Sequence, residues 1–327
     1  MGNELLYLSR GDVQALAIAP SEAREAVLQA FRDHAAGLNQ SLPKSALGLG
    51  PGHGFQAMTA ASSAQSIATL KWVSMAPVPP KSPVLGIQVP GINALICVSD
   101  YASGAPIAVL DGDEITLIRT AALSAAAASR LAPPAPRTIG FVGCGLQAHA
   151  HLAAFLDLYP GLTSALLFSR SRASAESLAE AASVRGLAAE VVDDADLLLA
   201  RSDIVISMVP GAPGLQPFLD VNRMKPISFA SAVDIGRSWR PETLPSFDVL
   251  VTDSLAQSSA PYDVDGQPVT TVRFQHDLVE FADAPHPTAA ERRSFFCFRG
   301  FALADLALAH LVVAKARAAG IGVKLPR

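Results

Sequence analysis

The chain has 327 residues, 50% of them hydrophobic and 17% charged, with a formal net charge of −4. That is apolar enough for a large core and argues against disorder, and without a basic stripe a nucleic-acid role has no electrostatic support. No apolar run reaches the roughly 18–20 residues of a membrane span, no signal-peptide pattern opens the chain, and Cys97, Cys144 and Cys297 are too scattered for a disulfide framework or metal site, so a cytoplasmic protein with no membrane partner and no metal is expected.

In chain order, residues 21–37 read as an amphipathic helix, with Ser21 a candidate N-cap and Gly37 its stop. A glycine-rich turn follows at 48–54. The apolar runs 54–58, 67–73, 93–98 and 107–111 predict strands of a mixed or antiparallel sheet, and the Pro-rich stretch 76–83 predicts a loop. Residues 114–131 are Ala-rich and helical, and Pro133, Pro134 and Pro136 mark a boundary. Then strands and helices alternate: strand 138–142, helix 146–157, strand 165–169, helix 174–185, a short strand at 189–192, helix 194–200 and strand 204–208. Later strands lie near 227–230 and 248–252. That alternation predicts an α/β protein with a Rossmann-type, doubly wound parallel sheet. The last helix, at about 300–319, is expected to pack back on the first part of the chain. Residues 1–118 with 300–327 then form a second, α+β domain for substrate binding and dimerisation, and 119–299 a dinucleotide-binding domain.

The run Thr138-Ile-Gly-Phe-Val-Gly-Cys-Gly-Leu-Gln-Ala-His149 carries the most chemistry. It reads as strand, Gly143-x-Gly145-x-x-Ala148 turn, then helix. Gly143 permits a tight turn, Gly145 lets backbone approach a pyrophosphate, and Ala148 lets the helix pack close to the sheet. The helix N-terminus adds free N–H groups and the positive end of its dipole. Without a ligand, the same residues would be only a tight strand–helix turn. The end of the second strand, Leu166-Leu-Phe-Ser169-Arg170-Ser-Arg172, bears on which cofactor binds. A site for NAD(H) usually places an acid there for the ribose hydroxyls. Here there is none, and Arg170 and Arg172 suit a 2′-phosphate. NADP(H) is therefore the expected cofactor, with NAD(H) still open and with solvated surface arginines as the alternative.

Several blocks together resemble the ornithine cyclodeaminase/mu-crystallin family. They are Leu70-Lys71-Trp-Val73, the run from Leu110 to Arg119-Thr-Ala-Ala, the Gly-Cys-Gly-Leu-Gln turn, Val233-Asp234, Gly300-Phe-Ala-Leu-Ala-Asp305 and the C-terminal Ala-Gly-Ile-Gly-Val. The likeness spans nearly the whole chain. It implies hydride transfer between a nicotinamide ring and an amino-acid Cα, as in ornithine cyclodeamination, ketimine and cyclic imine reduction and alanine dehydrogenation. It also implies a homodimer through the N-terminal sheet. By this resemblance Lys71 is the active-site lysine, Arg119 the carboxylate-binding arginine and Asp234 the catalytic acid/base. Thr120, Leu146 and Gln147, together with Gly143, Gly145, Ser169, Arg170, Arg172, Met208, Val209 and Val233, form the cofactor-binding set.

The residues themselves leave alternatives. A lysine in an apolar strand must find an acid or a ligand if buried, or reach solvent from an edge. Arg119 lies in an otherwise apolar helix, where its fork suits a carboxylate or a salt bridge between domains. Asp234 follows a strand where a doubly wound sheet opens its crevice, and it could equally cap a helix. Four positions depart from the family pattern. Lys44 stands where cyclodeaminases usually have arginine, keeping the charge but losing the fork. Gln56 replaces the carboxylate that ornithine-specific members aim at the distal ammonium, which counts against ornithine. Gly91 replaces a cofactor-contacting threonine. Arg299 replaces a small residue near the substrate, where it would bind a second acidic group or face solvent.

His149 and His151, two apart on a helix, do not share a face as metal ligands would. Cys144, inside the turn, matters for its backbone. The expected function is NADPH-dependent reduction of a small imino acid such as a pyrroline-2-carboxylate, with Lys44, Gln56, Lys71, Arg119 and Arg299 around the substrate. The alternatives are an ornithine- or lysine-type cyclodeaminase with bound NAD, an amino-acid dehydrogenase, and a non-catalytic NADPH-dependent binding protein.

Overall fold

The computed structural model describes residues 4–48, 50, 52–76, 91–212, 214–258 and 272–327. Most of the Pro-rich stretch 76–83 and part of the glycine-rich turn 48–54 lie outside the described residues. The chain forms two compact units, Met1–Arg119 with Phe301–Arg327, and Thr120–Gly300.

The first unit opens with β1 (Glu4–Leu8), α1 (Arg10–Ala15) and α2 (Pro20–Ala35). Ser21 does not cap α2. Pro20 takes the first helical position, where no N–H is needed, and the Glu22 carboxylate accepts the Ala19 N–H at 2.9 Å. The sheet continues with β2 (Asn39–Ser41), β3 (Ser45–Gly48), β4 (Gly54–Ser62), β5 (Ile67–Met75), β6 (Ile92–Asp100) and β7 (Pro106–Asp111). Helix α3 (Gly112–Leu131) follows, and the boundary between the units falls inside it.

The second unit runs β8 (Thr138–Val142), α4 (Leu146–Leu158), β9 (Ser164–Phe168), α5 (Arg172–Val184), β10 (Ala188–Val191), α6 (Ala195–Arg201), β11 (Ile204–Ser207), β12 (Ser228–Ala232), β13 (Val249–Thr252), α7 (Leu255–Ser258), β14 (His276–Asp277) and β15 (Arg293–Cys297). The chain then returns to the first unit as α8 (Ala302–Ala319), ended by Gly320 in the left-handed conformation, and β16 (Val323–Pro326).

In the first unit the order β16-β1-β7-β6-β5-β4-β2, with β3 on β4, is mixed: β1 and β7 are parallel and the other pairs antiparallel. Helix α8 packs on α2 and on β4 and β5, as its apolar sequence requires. In the second unit every pair in β10-β9-β8-β11-β12-β15-β13-β14 is parallel. Strand order reverses direction between β8 and β11, and doubly wound sheets bind ligands at such a switch point. Strand β15, which the sequence reading passed over, lies between β12 and β13.

The core of this sheet's β11–β15 half gathers on Trp239. Its ring is fully buried and meets Phe247 and Phe295 edge-on at 5.5 and 5.7 Å, and its Nε1–H donates to Ser207 Oγ at 2.9 Å. Trp239→Ala should destabilise the second unit by about 3–5 kcal/mol. A lowered urea midpoint followed by circular dichroism would show it, and an unchanged midpoint would contradict this packing.

Candidate active site

In the first unit, period-two alternation puts Lys71 on the same face of β5 as Val73. Its cross-strand partners are Met58 and Ile96. Lys71 is 2% exposed, so the edge-strand alternative is excluded. The acid it needs comes from Asp305 in the first turn of α8. Lys71 Nζ donates to Asp305 Oδ1 at 2.9 Å and to Thr116 Oγ1 at 2.5 Å, and Thr116 donates on to the Gly112 carbonyl at 2.5 Å. Arg119 Nε stands 3.4 Å from the same Asp305 oxygen, a charge contact too poorly placed to count as a hydrogen bond. Arg119 therefore pairs inside its own unit.

Burial pushes the Lys71 pKa down, Asp305 pushes it back up and Arg119 lowers it again, leaving it at about 8. Burial alone would raise the Asp305 pKa, but the charges of Lys71 and Arg119 outweigh it and hold the carboxylate below its usual value. Two cations thus share one buried carboxylate. Arg119 Nε and Nη1 and Asp305 Oδ2 have no hydrogen-bond partner among the described residues. Lys71 has three N–H donors and makes two bonds. The cluster carries a surplus positive charge and spare donors, the composition of an anion site. Lys44 precedes β3 and its charge also reaches Asp305. Gln56 pairs with Val73 and Ala46, so it shares the Lys71 face one pair further along. Asp305 is the member of this cluster to which the sequence assigns no role. Its signal was a lone acid in a helix otherwise apolar as far as His310.

In the second unit, β8 is followed by Gly143 (φ +92°), where a Cβ would lie 2.9 Å from the Met208 carbonyl oxygen. Only glycine fits both the backbone and this close approach. A Cβ on Gly145, the N-cap of α4, would meet nothing within 4 Å, and no side chain caps the helix. Its first N–H groups are thus open to an anion. Ala148 is fully buried. These residues fit a dinucleotide pyrophosphate. Leu146 is exposed, and the Gln147 Oε1 is buried with no hydrogen-bond partner among the described residues. Thr120 is buried in α3 next to Arg119. Cys144 is buried, its thiol pushed up to about 12, so it is no nucleophile.

Ser169, Arg170 and Ser171 follow β9. Arg172, which opens α5, is engaged by Glu176 at 3.0 Å and Asp193 at 3.7 Å. Arg170 is exposed and makes no ion pair among the described residues. Met208 and Val209 follow β11, and Val233 follows β12, with the Val233 N–H bonded to the Ser207 carbonyl at 2.8 Å.

Asp234 does not cap a helix. It heads a tight turn and is buried among donors: Ser207 Oγ and the Gly236 N–H reach Oδ1 at 3.1 Å each, and Ser238 Oγ at 2.5 Å and the Val209 N–H at 3.4 Å reach Oδ2. Burial raises its pKa, against the pull of these bonds. The next residue, Ile235, has φ +61°, a costly conformation for a β-branched side chain. Arg299 follows β15, half-buried, with its N–H 3.4 Å from Asp253 Oδ1. His151 is fully buried. Its Nδ1 lies 2.7 Å from the Gln147 carbonyl, its Nε2 3.0 Å from Ser124 Oγ, and burial lowers its pKa to about 4. It is a neutral link between α3 and α4.

The chain is similar in sequence and fold to several known proteins. The ketimine reductase mu-crystallin of Rattus norvegicus is 29% identical over 227 residues, 68% of this chain and 70% of that one. The Thermococcus litoralis Delta(1)-pyrroline-2-carboxylate reductase, solved with NADH and L-proline, superposes with a TM-score of 0.82 at 23% identity, over 98% of this chain and all of that one. An archaeal alanine dehydrogenase dimer with bound NAD matches equally well, at 26% identity over 98% and 99% of the two chains. The profile of the ornithine cyclodeaminase/mu-crystallin family matches residues 4–319, and the chain belongs to that family.

Proposed function

We propose that the protein is an NADPH-dependent reductase of a small imino acid, a ketimine or cyclic imine carboxylate of the pyrroline-2-carboxylate kind. The observation that carries this is the buried Lys71–Asp305–Arg119 cluster, with its surplus positive charge and an Arg119 Nη1 that has no hydrogen-bond partner among the described residues. A substrate carboxylate would accept from Arg119 Nη1 and take the third Lys71 donor. Lys44 adds longer-range attraction. Gln56, a neutral amide, favours a substrate without a distal ammonium and so an imine over ornithine.

Gly143, Gly145, Leu146 and Gln147 would hold the pyrophosphate, and Thr120, Met208, Val209 and Val233 complete the cofactor-binding set. When bound, the cofactor supplies the hydride. Ser169 and Arg170 would take a 2′-phosphate. Arg172, already held by two carboxylates, contributes less than the sequence suggests. Asp234 would give the imine nitrogen its proton. Although all four of its hydrogen bonds come from donors, the Ser207 and Ser238 hydroxyls can turn and accept once it is protonated. Arg299 would bind a second acidic group of the substrate.

A purified protein should oxidise NADPH with cyclic imine carboxylates and do so less well with NADH. Arg170→Ala should cut that preference by about 10–100-fold. A broad imine panel that consumes no NADPH, or NADH serving equally in the wild type, would sink this assignment.

Because a protonated Lys71 holds the carboxylate, kcat/KM should fall as pH rises through about 8. Lys71→Met should lower kcat/KM by roughly 100-fold and abolish that limb. A limb that survives in the variant belongs to another group.

The face of the first sheet opposite Lys71 supports a homodimer. Leu70, Trp72 and Leu95 are 40%, 44% and 49% exposed on adjacent strands, and Phe55 stacks on Trp72 at 5.8 Å. Trp72→Glu should convert a dimer to monomer by light scattering. A mass unchanged from a dimeric wild type would place the interface elsewhere.

A further inference from the structure

The Asp305 carboxylate is buried on α8 among Ala302, Leu303, Ala304, Leu306 and Ala307. A charge there is costly unless paired. Its pairing is lopsided: Oδ1 carries both Lys71 at 2.9 Å and Arg119 at 3.4 Å, while Oδ2 has no hydrogen bond among the described residues. Lys71 and Arg119 come from different elements, β5 and α3, and repel each other. Charged or titratable groups around Lys71 are Asp305 on α8 and Arg119 and Asp113 on α3, with Lys44 acting on Asp305; the flanking strands give only Met58 and Ile96. Without Asp305, two like charges would share a dry interior, and the amine, unlike the guanidinium, would relieve this by losing its proton.

We propose that Asp305 is a positioning residue of the anion site, an inference that rests on the reading of Lys71 and Arg119 as carboxylate ligands. It holds the ammonium and the guanidinium side by side and cancels one of their two charges. The surplus of a single charge matches one substrate carboxylate. Its free Oδ2 stays available to a donor on the substrate or to water.

The test uses the full chain with NADP+ present and pyrrole-2-carboxylate, an unreactive planar carboxylate, as probe. Its affinity is measured by calorimetry between about pH 6 and 10, where the lysine loses its proton. Wild type should bind at neutral pH and lose affinity as Lys71 deprotonates. Asp305→Asn should still bind NADP+ but lose probe affinity at a pH lower by about one unit or more, because the anion that favours the ammonium is gone. Asp305→Glu, which keeps the charge, should restore the wild-type midpoint. A purely structural residue would change affinity without moving the midpoint, so an unmoved midpoint in Asp305→Asn overturns the proposal. If the Asn variant does not fold, the Glu variant decides: a wild-type midpoint supports the proposal, and a displaced midpoint or a second failure to fold overturns it. A wild type that does not bind the probe, or binding unaffected by Lys71→Met and Arg119→Gln, overturns the carboxylate site itself and this role with it.

Discussion

One buried carboxylate oxygen organises the first unit. Asp305 Oδ1 receives Lys71 from β5 and Arg119 from α3 while riding on α8, which joins the unit only after the chain has run through the whole parallel sheet. Removing one partner from such a group leaves a stranded charge, a larger loss than the pair's net worth. The apolar faces of α8, α2 and the sheet would pack in several registers. The charges favour those that bring Lys71 and Arg119 within 3.4 Å of Asp305 Oδ1. The same constraint tunes Lys71: burial drags its pKa down, and the neighbouring carboxylate holds it near 8.

The second unit is tied at Asp234 by different means. Here hydrogen bonds, with no ion pair among the described residues, hold a buried carboxyl, and they come from the end of β11, the loop after it and the turn after β12. Ser207 passes the network on to Trp239 and so to the aromatic core. The left-handed Ile235 is tolerated because the Gly236 N–H and the Ser238 hydroxyl both point back at Asp234. Strain of this kind persists where the surroundings over-determine it.

Much of this was legible in the sequence, for physical reasons. The turn at Gly143–Ala148 is dictated by backbone sterics, so residue identity alone reveals it. The βα alternation of the second unit is written in periodicity. Lys71 announced itself by its cost in an apolar strand. What escaped depends on distant pairing. Strand β16 is exposed along its length and exists because β1 pairs with it. Strand β15 is short and aromatic, and its place between β12 and β13 is a matter of crossover order. Asp305 has no role legible in the sequence, because nothing near it says that Lys71, 234 positions away, is its partner. Arg170 and Arg172 looked equivalent until Glu176 and Asp193 were seen to occupy the second.

The two units offer anions unlike kinds of site. The N-terminus of α4 offers backbone N–H groups and a helix dipole, neither of which titrates. The Lys71–Arg119 cluster offers side-chain charges, one of which is poised near neutrality by its own burial. In the proposed reading, cofactor grip at the pyrophosphate is therefore indifferent to pH, whereas substrate grip is not. A reductase must release an amino acid whose carboxylate is unchanged by the reaction, so a lysine close to its pKa holds that carboxylate less firmly than a permanently charged residue would. Arginine at position 71 would never shed its charge. A lysine beside Asp305 keeps enough charge to bind and little more.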